Sequence, residues 1–64
     1  MIVNGIKMNF KNGITVLQLL TKLNLDKDKV VVEVNRKILD KKQYSDYLLN
    51  ENDRIEIINL VGGG

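Results

Sequence analysis

From Met1 to Phe10, apolar and polar residues alternate around Asn4-Gly5. Asn-Gly between two alternating segments is a strong hairpin signal, because both residues tolerate the positive φ of a type I′ turn. A two-residue turn pairs Val3 with Ile6. It puts Met1, Val3, Ile6, Met8 and Phe10 on one face, the expected core face, and Ile2, Lys7 and Asn9 on the other. Lys11-Asn12-Gly13 breaks the alternation, and the period then changes. Thr15-Val16-Leu17-Gln18 has the form of a capping box, with Thr15 as N-cap and Gln18 reaching back to its amide. Val16, Leu19, Leu20 and Leu23 follow at helical spacing and Leu17 widens the stripe, which predicts a helix with Gln18, Thr21 and Lys22 toward solvent. Such a stripe needs a sheet to cover.

Residues 24–29 are polar and read as a loop. Val30-Val31-Val32-Glu33-Val34 is short and dense in β-branched side chains, which predicts a strand with Val30, Val32 and Val34 inward. Asn35-Arg36-Lys37 reads as a turn and Ile38-Leu39 as a short strand. Residues 40–49 read as an irregular or single-turn helical stretch carrying Tyr44, Tyr47 and Leu48. Asn50-Glu51-Asn52-Asp53 is a turn cluster, after which residues 54–61 alternate as a last strand. Ile55 and Ile57 then face the helix, leaving Ile58 and Leu60 on the opposite face with Ile2. Two strands, a helix and two or three more strands in so short a chain predict an α+β fold. Specifically, they predict a β-grasp, or ubiquitin-like, roll with a mixed four- to five-stranded sheet packed on one helix and its first and last strands side by side.

Composition narrows the chemistry. Sixty-four residues make one small domain, with little room for an internal cleft. The chain has no Cys and no His, which removes thiolate nucleophiles, disulfides, the usual zinc ligands and the commonest general base near neutral pH. An independent enzyme is therefore the least favoured class, and neither a metal site nor a bound cofactor is expected. Ten basic against eight acidic residues give a net charge of +2, too small a field to imply nucleic acid. No apolar run approaches a membrane span, and no secretory leader is evident, so a cytoplasmic protein, monomeric when free, is expected.

Arg36, Lys37, Lys41 and Lys42 form a local basic cluster that reads as a solvated loop before it reads as a steering patch. Asp26 with Asp28, and residues 50–53, lack the ligand count and glycine placement of a calcium loop. Phe10, Tyr44 and Tyr47 are too scattered to stack on bases and are expected at the core edge.

The remaining feature is Gly62-Gly63-Gly64 after a strand. Residues 1–61 are expected to form the β-grasp domain and residues 62–64 a flexible tail. Without Cβ atoms, such a tail can enter a channel too narrow for other residues and present the Gly64 α-carboxylate for reaction. Ile2, Ile58, Leu60 and Val61 are the candidate docking residues, because exposed apolar area next to the tail marks an interface.

The segment Val32-Glu33-Val34-Asn35-Arg36-Lys37-Ile38, the stretch Asp53-Arg54-Ile55-Glu56-Ile57 and the ending Val61-Gly62-Gly63-Gly64, in the order β-β-α-β, resemble the thiamine-biosynthesis sulfur carrier family, ThiS. The resemblance spans the whole chain. Many members have a proline after the short strand, where this chain has Asp40 and no proline at all. The resemblance implies that a ThiF-type adenylyltransferase activates the Gly64 carboxylate with ATP and magnesium, and that a persulfide donor such as a cysteine desulfurase supplies sulfur. Gly64 then becomes a thiocarboxylate, which gives its sulfur to a ThiG-type thiazole synthase. A sulfur carrier for molybdopterin synthesis, a ubiquitin-like protein modifier and an RNA-binding or regulatory β-grasp module are the competing readings.

Overall fold

Asn4 and Gly5 take positive φ, 50° and 81°, and close a two-residue turn between β1 (Ile2–Val3) and β2 (Ile6–Lys7), pairing Val3 with Ile6 and Ile2 with Lys7. The computed structural model describes residues 1–10 and 13–60 of the chain. Helix α1 (Val16–Lys22) starts at the expected capping box. The Gln18 amide donates to Thr15 Oγ1 at 3.0 Å, and the Thr15 amide donates to Gln18 Oε1 at 2.9 Å. Strands β3 (Val30–Val34), β4 (Lys37–Ile38) and β5 (Arg54–Asn59) complete a five-stranded sheet of order β2-β1-β5-β3-β4. The β1–β5 pair is parallel and the other pairs are antiparallel. The first and last strands thus lie side by side in a mixed sheet on one helix, the β-grasp arrangement that the element order implies. Among the described residues no helix is long and apolar enough to cross a membrane.

Val16, Leu19 and Leu20 bury the helix stripe against Val3, Val32, Val34, Ile55 and Ile57 of the sheet. Ile14, Leu39, Tyr44 and Leu49 from the connections seal the same core, so Tyr44 lies inside it rather than at its edge. Tyr47, Met8, Phe10 and Leu23 are half-buried around it.

Ile6 does not join this core and is 61% exposed. It belongs to the outer strand, two residues long, and the apolar cover ends at its partner Val3. The second short strand is Lys37–Ile38 rather than Ile38-Leu39, because the preceding turn needs only two residues. Asn35 and Arg36 take φ of 52° and 71°, a second tight turn in the style of Asn4-Gly5 but without glycine. Leu39 lies just beyond the strand and is buried, its amide donating to the Val32 carbonyl.

The loop 24–29 contains a single 3₁₀ turn, Lys27–Lys29, capped by the Asp26 carboxylate. Asp40 is the N-cap of a second 3₁₀ turn, Lys41–Gln43, with Gln43 completing a capping box. Leu49, unremarked in the sequence pattern, is 1% exposed, whereas Leu48 pairs with Thr15 and stays outside. The last strand spans Arg54–Asn59, and residue 61 of its expected run lies outside the described residues.

Candidate functional site

The site is the open face of the sheet together with the end of β5. Along β5 burial alternates, with Ile55 and Ile57 in the core and Arg54, Glu56 and Ile58 outside. Past the strand, the Leu60 amide still donates to the Lys29 carbonyl at 2.8 Å, so pairing with the β3 side persists to the last described residue. On the other side, Asn4 fixes β5 by hydrogen bonds from its side chain to the Ile57 backbone. The end of β5 is thus held from both neighbours.

Ile58 is 49% and Leu60 62% exposed, so both reach solvent as the alternation implies. Ile2 shares their face, but its register partner on the parallel strand is Arg54. Ile58 lies four positions beyond Arg54, roughly 13 Å along an extended strand, with Glu56 between them. The expected continuous patch of Ile2, Ile58 and Leu60 is therefore divided, because parallel pairing sets Ile2 against the start of β5 rather than its end. The neighbour that does adjoin Ile58 is Val31, directly opposite on β3, whereas Ile38 on β4, 70% exposed, pairs with Glu33 in the row before. Val31 was legible from the period-two pattern of its own strand, whereas Ile38 depended on the length of the turn before it. Val61, Gly62, Gly63 and Gly64 lie outside the described residues, as do Lys11 and Asn12 of the predicted break.

The basic segment behaves as a solvated surface. Lys41 reaches Asp28 at 3.4 Å with both side chains more than half exposed, a pair worth little in water. Among the described residues no group of three or more His, Cys, Asp or Glu is placed to hold a metal ion.

Sheet order and the single helix define a β-grasp domain. The chain belongs to the ThiS family, whose model matches residues 1–64. It is 37% identical over 62 residues to the sulfur carrier protein ThiS of Bacillus subtilis, covering 95% of this chain and 94% of that one. It is also 39% identical over 64 residues to a thiazole synthase of Paramagnetospirillum magneticum, all of this chain matching 20% of that protein. The chain thus spans about a fifth of the length of the thiazole synthases it matches. The crystal structure of the thiamine biosynthesis protein ThiS from Geobacter metallireducens has the same fold. Its TM-score is 0.79 at 26% identity, with 98% of this chain and 96% of that chain covered.

Proposed function

We propose that this protein is a sulfur carrier in the biosynthesis of the thiazole moiety of thiamine, a protein co-substrate rather than a catalyst. The observation that carries the reading is the whole-chain family match combined with the final strand that leads into Gly62-Gly63-Gly64. A carboxylate is a poor acyl donor because it is resonance-stabilised and would have to expel oxide. The Gly64 carboxylate oxygen attacks the α-phosphorus of ATP on a ThiF-type adenylyltransferase, and pyrophosphate leaves. Magnesium and basic groups of that enzyme offset the charge that develops. A sulfur nucleophile derived from a persulfide donor, such as a cysteine desulfurase, then attacks the acyl carbon and AMP departs with the original oxygen. A second thiol supplies the two electrons that cleave the persulfide S–S bond. Gly64 is left as a thiocarboxylate, and a ThiG-type thiazole synthase takes the sulfur into the thiazole ring and returns the carboxylate. Gly62 and Gly63 thread the enzyme channels because they carry no side chain.

The direct test is the intact mass of the protein after incubation with the host's adenylating enzyme, magnesium ATP, cysteine and a cysteine desulfurase. One oxygen-for-sulfur exchange mapped to Gly64 is the expected result. An unchanged mass, with the enzymes active on another carrier, would refute the reading, and attachment of Gly64 to lysines of other proteins would replace it with a modifier.

A further inference from the structure

Asn4-Gly5 closes the first hairpin, and it is also the asparagine dipeptide most open to self-attack, because glycine carries no side chain to shield its own backbone nitrogen. Both residues are exposed, and the space where a Cβ of Gly5 would stand is empty. Burial therefore keeps neither water nor base from this turn. The carboxamide is nevertheless held. Asn4 Nδ2 donates to the Ile57 carbonyl and Asn4 Oδ1 accepts from the Ile57 amide, 53 residues further along the chain, while the Asn4 amide donates to the Ile55 carbonyl. The Gly5 nitrogen lies on the chain that leaves β5 for β2. Cyclisation requires Asn4 Cγ to reach that nitrogen, and the side chain cannot turn to it without giving up both bonds to Ile57. The bond from the Ile57 amide to Oδ1, at 2.7 Å, polarises the carbonyl and on its own favours attack. The restraint is thus one of position.

We propose that Asn4-Gly5 is a deamidation site gated by the join between β1 and β5, closed while the carboxamide is bonded to Ile57 and reactive when β1 parts from β5. In the open state the Gly5 nitrogen attacks Asn4 Cγ and gives up its proton to solvent. The carboxamide C–N bond breaks, ammonia leaves, and a five-membered succinimide remains. Water then opens the ring at either carbonyl, giving aspartate or isoaspartate at position 4 with no change of oxidation state. Aspartate keeps the acceptor for the Ile57 amide but sets a carboxylate oxygen against the Ile57 carbonyl in place of the donor. Isoaspartate adds a methylene to the backbone of a two-residue turn, which then cannot keep Val3 opposite Ile6. Each product marks a molecule that has opened and weakens its reclosure. The inference stands on the hairpin and its bonds to β5, and is independent of the carrier reading.

The test follows the full-length protein in buffer, the same protein in guanidinium chloride and a synthetic peptide of residues 1–10, all at one pH and temperature. Trypsin releases residues 1–7 separately from residues 12–22, so conversion at Asn4 is read apart from that at the second Asn-Gly, Asn12-Gly13. Aspartate and isoaspartate in the first peptide are quantified by chromatography and mass. The native protein is expected to convert at least about tenfold more slowly than the peptide, and the denatured protein at the peptide's rate, because reaction is confined to a rare open state. Ile55→Val leaves the sequence around Asn4 unchanged but loosens the strand that holds it, and is expected to convert about two- to tenfold faster than the wild type in buffer. Native conversion at the peptide's rate would overturn the proposal. So would slow conversion that persists in guanidinium chloride, which would assign the protection to the local sequence. A lowered urea midpoint in Ile55→Val with no gain in rate would also overturn it, by assigning the protection to the turn itself.

Discussion

The side chain of Asn4 and the backbone of Ile57 exchange two hydrogen bonds: Asn4 Nδ2 donates to the Ile57 carbonyl at 3.2 Å, and the Ile57 amide donates to Asn4 Oδ1 at 2.7 Å. The chain turns away from β5 at Asn4, whose own amide still donates to the Ile55 carbonyl at 2.9 Å, so the carboxamide continues the ladder where the backbone cannot. Asparagine is suited to this position twice over, since it tolerates φ of 50° and carries a donor and an acceptor in peptide-like geometry. Asn4→Asp keeps the acceptor and the φ tolerance but loses the donor. Asn4→Ala loses donor, acceptor and tolerance together. Urea unfolding is expected to rank them wild type, then Asp, then Ala, with about 1 kcal/mol lost in the first step and about 2–3 kcal/mol in total. Equal stability of the Asp and Ala variants would mean that the bond from the Ile57 amide contributes nothing.

Asn35 repeats the device on the other side of β5. Its Oδ1 accepts from the Arg54 amide at 3.0 Å, and its Nδ2 donates to Asp53 Oδ1 at 3.0 Å. Asp53 is 7% exposed, and its second oxygen accepts from the Asn50 amide at 2.9 Å, closing the turn before β5. Asparagine in place of Asp53 offers one acceptor where two donors converge, so Asp53→Asn is expected to cost about 1–3 kcal/mol in urea unfolding. Because the two residues share one network, a double-mutant cycle of Asp53→Ala with Asn35→Ala is expected to give a coupling of about 1 kcal/mol or more. Additive losses would show that the two residues act independently.

Arg36 follows Asn35 in the tight turn at φ 71°, a region disfavoured for residues with a Cβ. Its position in the basic segment suggests a charge function, but the backbone supplies a stronger prediction. Arg36→Gly is expected to stabilise the fold by about 0.5–1 kcal/mol, a rise of a few degrees in Tm for a domain of this size. A fall in Tm would show that the arginine side chain contributes more than the relief of its backbone.

The course of the chain was legible where hydrophobic period and capping chemistry agreed. Thr15 with Gln18 marked the helix start, Asn4-Gly5 set the first register, and Val30, Val32 and Val34 declared their buried face. The errors fall where a side chain's fate depends on what lies across the sheet. Ile6 alternates correctly yet stands on an outer strand, beyond the apolar cover. For the same reason Ile2 could be assigned to the open face but not to its row, because the row comes from parallel pairing with a strand some fifty residues later. Glu33 and Glu56 were visible as polar positions in two separate strands, and only the register makes them neighbours.

Gly64 carries the sharpest functional prediction. Alanine at this position keeps the α-carboxylate and its acidity, so the chemistry at the acyl carbon is unaltered in kind. On the proposed carrier function, what changes is one methyl group next to the reacting carbon. In a channel shaped around glycine, an added methyl costs about 1–3 kcal/mol of overpacking, which corresponds to a tenfold to hundredfold slower reaction. Since Gly64 follows Ile57, the last core residue among those described, by seven positions, the urea midpoint of Gly64→Ala is expected to match the wild type. The measurement is the rate of thiocarboxylate formation by intact mass for wild type and Gly64→Ala side by side, with pyrophosphate release followed in parallel. Loss of both signals places the obstruction at adenylation, and loss of sulfur alone places it at transfer. Loading of the variant at the wild-type rate would show that the channel tolerates a side chain, and the narrow-channel account of the glycine tail would be wrong.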